Sequence, residues 1–373
     1  MILSSASTTP PLFWRAEDLP DWHAWQRSQW PASRRIADIV RTRVRTGGNT
    51  PAPRWLLRPT EPAHTVVALE SYGPTQMAAL SRPVKALATL SAAVAAGVAW
   101  IVPSETPPAL PGAEKHVCEY VAEDLSVADL MARVKHVLVA GEYLPSGARA
   151  VAWAREHGAR VNVVQHGLLA NSTPPMPAES RLFAFTEADA AWWTYTRTDV
   201  EVQVVGSTLL RDAAGRTGAA PSLSDDAGIF LGQLHGAELP RKDLAIAAET
   251  YIQATGARYR PHPAEQDRLS RGQHERWRRA GVQLDDRDLS LAQTHGPVAS
   301  VFSTGVLEAA QTGRPAYVVH PDPPAWLEGF WERYGMSRWR PGRRDVDPTP
   351  PLIMPDTDPA VAIAQHLWKD LTA

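Results

Sequence analysis

The chain has 373 residues, which is more than one hydrophobic core usually holds, so two domains are expected. Hydrophobic residues make up 44% and charged residues 21%, as in soluble globular proteins, and the net charge of −2 gives no reason to expect binding to nucleic acid or to an anionic membrane. The only cysteine, Cys118, excludes an internal disulfide and leaves too few thiols for a structural zinc site.

The first half of the chain alternates short apolar strands with helices. Its N-terminus lacks the basic and apolar regions of a signal peptide, so we expect a cytoplasmic protein, and no apolar run is long enough to predict a transmembrane segment. Residues 12–45 show helical spacing of Trp and Arg. Strands are predicted at 64–70, 98–102, 136–140, 161–165, 182–186 and 202–207, with helices at about 76–96, 146–157 and around Trp192. This alternation is typical of a parallel, doubly wound sheet.

The second half repeats the pattern after a stretch with little apolar content. Residues 212–227 are rich in Gly, Ser, Ala and Asp, as interdomain linkers are. Strands are then predicted at 228–232, 257–262, 281–284, 298–302 and 313–319, with helices at 241–255, 265–280 and from 304 onward. Residues 358–373 predict a last helix that crosses back to the first domain. The expected fold class is therefore α/β, with two Rossmann-like domains facing across a cleft.

Polar groups follow two strands of the second domain. His262 ends the strand at 257–262 between two prolines, which stiffen its backbone. The segment Ser303-Thr304-Gly305 ends the strand at 298–302 and opens a helix, whose free N–H groups and hydroxyls suit an anion. Because ligands of such sheets bind at the carboxyl ends of the strands, a phosphate-bearing ligand is expected there.

Two Rossmann-like halves with His262-Pro263 after a strand, and with Ser303-Thr304-Gly305, Glu308 and Gly313-Arg-Pro315 further on, resemble GT-B glycosyltransferases. The nearest resemblance is to bacterial capsule and wall-polymer transferases with His-Pro and Ser-Ser or Ser-Thr motifs, namely sialyl- and polysialyltransferases and CDP-glycerol glycerophosphotransferases. The Asp/Glu-Asp/Glu-Gly motif of the sialyltransferases is not evident. The resemblance implies an N-terminal acceptor-side domain at 1–211, a linker at 212–227, a nucleotide-sugar-binding domain at 228–357 and the final helix at 358–373.

The resemblance also implies roles for individual residues. His262 and His166, the latter in the strand-end sequence Gln165-His-Gly167, are the catalytic candidates, and Glu70 is another candidate base. The expected donor-binding residues are Arg260, His262, Pro263, Ser303, Thr304, Gly305, Glu308, Gly232, Gln233 and His235. The expected acceptor-side residues are Tyr72, Glu142, Gln165 and Gly167.

The implied activity is an inverting transfer of a sugar or polyol phosphate from a CMP-, CDP- or UDP-activated donor to a glycan or lipid-linked acceptor. No cofactor beyond the donor and no metal are expected, because the only tight acidic cluster, at residues 285–288, contains an arginine and reads as a solvated turn. Two alternatives stay open. One is a nucleotide-sugar 2-epimerase, and the other is a non-catalytic nucleotide- or glycan-binding module.

Overall fold

A computed structural model of the protein describes residues 19–28, 54–122, 125–195, 197–215, 227–236, 238–286, 291–343 and 346–372. Most of the helix pair predicted at 12–45 and most of the predicted linker at 212–227 lie outside these ranges. Helix α1 spans Leu19–Ser28. No helix within the described ranges has the length and apolar character needed to cross a membrane.

The first sheet has eight strands, which come from the first 204 residues of the chain. They are β1 Trp55–Arg58, β2 Thr65–Ala68, β3 Val98–Val102, β4 Val117–Tyr120, β5 His136–Val139, β6 Arg160–Val164, β7 Arg181–Ala184 and β8 Glu201–Val204. Their order is β4-β1-β3-β2-β5-β6-β7-β8. The six strands from β3 to β8 in this order are parallel, whereas β1 is antiparallel to β3 and to β4.

Helices cover both faces of this sheet. Helix α2 runs from Pro74 in three consecutive segments, Pro74–Gln76, a π-helical turn Met77–Ser81, and Arg82–Leu90. It is followed by α3 Ala92–Ala96, α4 Ala128–Met131, α5 Pro145–His157 and α6 Glu187–Thr194. Successive residues of β2 point to opposite faces, so Val66 joins one buried cluster and Val67 the other. Burial on both faces explains why these strands are uniformly apolar.

The second sheet is smaller and entirely parallel. Its strands are β9 Ile229–Leu231, β10 Arg258–Arg260, β11 Val298–Ser300 and β12 Ala316–Val318, in the order β10-β9-β11-β12. Its helices are α7 Thr208–Ala214, α8 Arg241–Thr255, α9 Arg268–Arg279, α10 Thr304–Gln311 and α11 Ala325–Arg333. Leu210 of α7 belongs to the core of this second half. The mixed α/β class is therefore confirmed, with one mixed and one parallel sheet.

The last helix, α12 Pro359–Thr372, packs on the first sheet although it follows the second one in sequence. Its residues Ile363, Ala364 and Leu367 are fully buried in the cluster that contains Val67 and Leu80. Asp370 of the same helix accepts a hydrogen bond of 2.9 Å from Arg181 at the start of β7. The end of the chain is thus part of the first structural unit.

Candidate functional site

A cleft of about 950 Å³ lies between the carboxyl ends of the two sheets, lined by residues of the described ranges. One wall comes from the turn after β2 and from α2, and the other from α7, from the turn after β10 and from α10. The cleft is lined by Gly73, Pro74, Thr75, Met77, Ala78, Ser81, Arg82, Lys85, Ala109, Pro111, Leu209, Asp212, Ala213, His262, Pro263, Leu291, Glu308, Ala309, Thr312 and Arg314. Three predicted donor-binding residues, His262, Pro263 and Glu308, therefore meet in one cavity.

Cations outnumber carboxylates on the walls of this cleft. Arg82 donates to Asp212 over 2.8 Å, which joins α2 to α7. Lys85, one turn further along α2, is exposed and forms no ion pair with a residue of the described ranges. Glu308 is the only other carboxylate among the lining residues. Electrostatics therefore favour an anionic ligand.

Arg314 is a third cation in the cleft, and its hydrogen-bond partners among the described residues are uncharged. Within the described residues its guanidinium donates to the carbonyls of Leu291, His295 and Gly296 and to the hydroxyl of Thr294, over 2.8 to 3.1 Å. Burial, and to a lesser degree Arg260, lowers the pKa of Arg314 to about 10, so that it remains charged at neutral pH. An anion bound in the cleft would give this partly buried cation a partner of opposite charge.

His262 is held in one tautomer at the end of β10. The N–H of Ala264 donates to Nδ1 over 3.1 Å, so the proton of the neutral ring lies on Nε2. The ring stacks on His235, with centroids 4.0 Å apart and planes inclined by 19°. Burial, and then His235, lowers the pKa of His262. His262 is thus neutral at pH 7 and offers Nε2–H as a hydrogen-bond donor.

Glu265 is a buried carboxylate that the sequence analysis did not single out. Its hydrogen bonds hold in place the two segments that carry His235 and His262. Its side chain is fully buried and accepts hydrogen bonds from the N–H of Leu234 (3.0 Å), the hydroxyl of Tyr259 (3.1 Å) and Nε2 of His274 (2.8 Å). It thereby ties the loop that carries His235 to the segment that carries His262. The sequence signal was the position of Glu265 three residues after a strand-end histidine.

Two predicted donor-binding residues of the β9 loop support the strand ends. The amide oxygen of Gln233 accepts hydrogen bonds of 2.9 Å from the N–H of Phe302 and from the hydroxyl of Ser300, so Gln233 joins β9 to β11. A Cβ atom at Gly232 would lie 2.4 Å from the hydroxyl of Tyr259, so no larger residue fits there. Both residues shape the loop rather than line the cleft.

Ser303, Thr304 and Gly305 begin α10 as expected, but they are not among the residues that line the cleft. The Ser303 hydroxyl accepts the N–H of Gly305 over 3.2 Å and caps the helix. Glu308, one turn later, does line the cleft, which therefore runs along the side of α10. Arg260 instead donates over 2.7 Å to the buried Asp285.

In the first half, three predicted residues are committed to other contacts or lie outside both main cavities. Glu70 is paired with Arg54 and accepts the N–H of Ser146 over 3.0 Å at the start of α5. Glu142 pairs with Arg155 over 2.9 Å. Tyr72 packs into the core beside α2, and burial raises the pKa of its hydroxyl. The geometry therefore gives no support to Glu70 as a base.

His166 lies in a second cavity of about 290 Å³. Its ring makes no hydrogen bond and no ion pair with the described part of the chain, and burial lowers its pKa to about 4. A small gap lined by Thr75 and His166 lies between this cavity and the cleft, since Thr75 lines the cleft as well. His166 is therefore placed between the two cavities, as a neutral imidazole at pH 7.

The backbone around His166 is held by contacts with both halves of the molecule. Gln165 donates to the fully buried Asp189 over 3.0 Å and accepts the N–H of Phe185 over 2.8 Å. From the second half, the hydroxyl of Tyr334 donates to Asp189 over 2.6 Å and accepts the N–H of Leu169 over 2.8 Å. Gln165 thus positions the loop, and Gly167 lines the second cavity.

Comparison with known proteins adds no family to this picture. No protein-family model matches the chain, and neither the curated proteins nor the solved structures include a significant match. Within the described residues, no three His, Cys, Asp or Glu side chains are grouped so that they could hold a metal ion.

Proposed function

We propose that the protein is a glycosyltransferase that moves a sugar or polyol phosphate from a CMP-, CDP- or UDP-activated donor to a hydroxyl acceptor, in surface polysaccharide or glycoconjugate synthesis. The observation that carries this proposal is the cleft of about 950 Å³, in which His262 and Glu308 face the cationic side of α2. Its size suits a nucleotide sugar, and its charge suits a diphosphate. We also propose that the two sheets form the GT-B arrangement, with the donor held by the second half.

The phosphates of the donor are bound by protein cations in this proposal. Lys85 and Arg314 approach them from opposite walls, and Nε2–H of His262 donates to an oxygen that becomes more negative as the bond to the sugar breaks. Glu308 accepts hydrogen bonds from the hydroxyls of the donor ribose. The negative charge of the departing nucleotide is thus stabilised by side chains, which makes the proposed reaction metal-independent.

Proton transfer is assigned to His166. With a nucleotide-sugar donor, an acceptor hydroxyl attacks the donor carbon, the bond from that carbon to the phosphate oxygen breaks with its electron pair on the nucleotide, and neutral His166 takes the hydroxyl proton. With a polyol-phosphate donor, the hydroxyl attacks the phosphorus that bears the polyol instead, and the phosphoanhydride bond breaks with its electron pair on the departing nucleoside monophosphate. One displacement of the first kind inverts the configuration at a sugar carbon. The pKa of about 4 makes His166 a weak base in the empty cavity, and a bound anion nearby raises that pKa.

A non-catalytic nucleotide-binding module is the second candidate. The observation that favours it is that the carboxylates nearest to the first-sheet strand ends, Glu70 and Glu142, are engaged with Arg54 and Arg155, which leaves only a weakly basic histidine. Such a module would bind the same nucleotides through the same cleft. Turnover therefore separates the two candidates.

Thermal denaturation with CMP, CDP, UDP, GDP and ADP, each with and without EDTA, tests the proposal. A ligand that binds only the native state raises the melting temperature, and at about 100 times its Kd the stabilisation is about 2.7 kcal/mol. We expect a selective response to a cytidine or uridine nucleotide that is insensitive to EDTA. No response to any nucleotide would contradict both candidates.

Three variants then separate the assigned roles. His262→Ala and Glu308→Ala are expected to weaken nucleotide binding, whereas His166→Ala keeps binding and loses turnover. Ser303→Ala serves as the test of the helix start: unchanged affinity would show that Ser303 acts only as the cap of α10. Product analysis adds a further distinction, since an epimerase would alter the donor sugar without any acceptor.

A further inference from the structure

The second cavity differs from the cleft in charge and in lining. Its walls include the rings of Trp22, Tyr143 and Trp193, the turn at 167–174, and Glu238 from the second half of the chain. The indole N–H groups of Trp22 and Trp193 donate to the carbonyls of Ser172 and Pro174, over 3.2 and 3.0 Å. The two tryptophans therefore present only apolar surface to the cavity.

Four polar groups of this cavity have hydrogen-bonding capacity to spare. The hydroxyls of Tyr143 and Thr173 and the ring of His166 make no hydrogen bond with residues that the structure describes. The carboxylate of Glu238 accepts one long hydrogen bond, 3.4 Å, from the hydroxyl of Ser172, and has no cationic partner in the described ranges. These side chains are half-buried on the wall of the cavity, so each of them can hydrogen-bond a polar ligand that enters it.

The charge of the cavity selects the kind of ligand. Among the described residues that line it, Glu238 is the only charged side chain, so an anion would meet a carboxylate with no compensating cation from that part of the chain. The cavity instead offers two hydroxyls, a neutral imidazole and a carboxylate. These groups suit a ligand with several hydroxyl groups, because each ligand hydroxyl can both donate and accept a hydrogen bond. The three aromatic rings suit the C–H faces of a sugar ring.

We propose that this cavity binds an uncharged, hydroxyl-rich molecule of monosaccharide size, with Tyr143, Thr173 and Glu238 as its polar contacts. The identification of this molecule as the acceptor rests on the proposed function. In that case His166 lies between the acceptor hydroxyl and the donor cleft. Removing one polar contact leaves one hydroxyl of the bound ligand without its partner, so affinity depends on each of the three.

Saturation-transfer NMR with glucose, N-acetylglucosamine and glycerol, at tens of millimolar concentration, tests the site directly. We expect transfer to at least one sugar, and weakening by about tenfold in Tyr143→Phe and in Thr173→Val. Thr312→Val, which removes a hydroxyl from the wall of the cleft, is the matched control and leaves sugar binding unchanged. The proposal would be overturned if none of the three probes received saturation from the protein. It would also be overturned if Tyr143→Phe and Thr173→Val both left sugar binding unaltered.

The charge argument has its own test. Glucose 6-phosphate is expected to compete poorly with glucose at this site. In Glu238→Gln the difference in affinity between the two compounds should be smaller. Equal binding of both compounds to the unmodified protein would contradict the role of Glu238. Nucleotide-induced thermal stabilisation is followed in Tyr143→Phe, Thr173→Val and Glu238→Gln, which leave the cleft intact. Sugar binding without any nucleotide response would therefore refute the proposed donor site alone.

Discussion

Among the described histidines, burial has its largest effect on His136 and His166, whose pKa it lowers to about 4 in each case. Asp370 opposes the effect at His136, whereas His166 has no charged neighbour that contributes. His166 thus stays neutral over the range in which an exposed histidine takes up a proton. A histidine at the junction of two cavities is thereby kept as a proton acceptor.

The lowered pKa of His166 predicts a pH-dependent stability. Below pH 6.5 the unfolded chain binds a proton that the folded protein does not, so the free energy of unfolding falls as the pH falls from about 6.5 to 4, by about 2–3 kcal/mol for this group. The His166→Gln variant lacks this titrating group, so its free energy of unfolding should fall less over the same pH range. Urea denaturation at several pH values measures it, and identical pH profiles of both proteins would contradict the lowered pKa.

Lys85 predicts a change in affinity rather than in stability, because its side chain is exposed on the wall of the cleft. Lys85→Ala should weaken nucleotide diphosphate binding by up to about fivefold, and less at high salt, where the charge is screened. Lys135→Ala is the matched control, since Lys135 lies at the amino end of β5 and contacts α12 carbonyls. A similar loss in both variants would show that only the net charge matters.

Helix α11 and the residue after it connect the second half of the molecule to the loop around His166. Arg333 stacks on Trp192 with 4.2 Å between its Cζ atom and the ring centroid, and it also donates to the carbonyl of Leu169. Burial raises the pKa of Asp189, and hydrogen bonds from Tyr334 and Gln165 oppose this effect. The orientation of the His166 loop therefore depends on residues more than 140 positions away.

Tyr334→Phe tests this connection. Removal of the hydroxyl leaves the N–H of Leu169 without its partner in the interior and takes one of the hydrogen bonds from the buried Asp189, which should lower the free energy of unfolding by about 1–3 kcal/mol. We expect the imidazole NMR signals of His166 to shift as its loop moves. Tyr251→Phe, in the core between Phe230 and Trp339, is the control in which these signals stay in place. Unmoved signals in Tyr334→Phe would refute the connection.

The parallel βα elements could be predicted from the sequence, because each has an apolar strand and a clear helix end. Gly158 and Gly256, for example, take the left-handed conformation where helix ends were expected. Strands β1 and β4 were missed: β1 is short, and β4 is largely exposed and carries no apolar run. The strand predicted at 281–284 is reduced to a single bridge between Tyr259 and Leu284.

Part of the candidate site was accessible to sequence reasoning for the same reason. His262 follows a strand directly and Glu308 lies one turn into the helix that follows another strand, so local pattern places both near one edge of the sheet. Arg314 and Tyr334 owe their positions to packing between distant segments, which no local pattern encodes. The same limit applies to Glu70, whose carboxylate faces Arg54 and the start of α5 instead of a cavity.

At the scale of the whole molecule, α12 makes the first structural unit discontinuous in sequence. Leu367 of this helix is fully buried against the first sheet, so Leu367→Ala should lower the free energy of unfolding by about 2–5 kcal/mol. Exposed Leu269 of α9 provides the control, and Leu269→Ala should change stability little. Chemical denaturation measures both, and equal effects would mean that α12 does not stabilise the first unit.

The return of α12 means that the backbone passes between the two halves twice, at Gly206–Ser207 and at Met354–Pro359. These two passages touch: the N–H of Ser207 lies 3.4 Å from Sδ of Met354, and Arg211 donates to the carbonyl of Thr357 over 3.0 Å. Because the two passages are in contact, any movement that widens the cleft must either keep these two segments together or break the contacts between them.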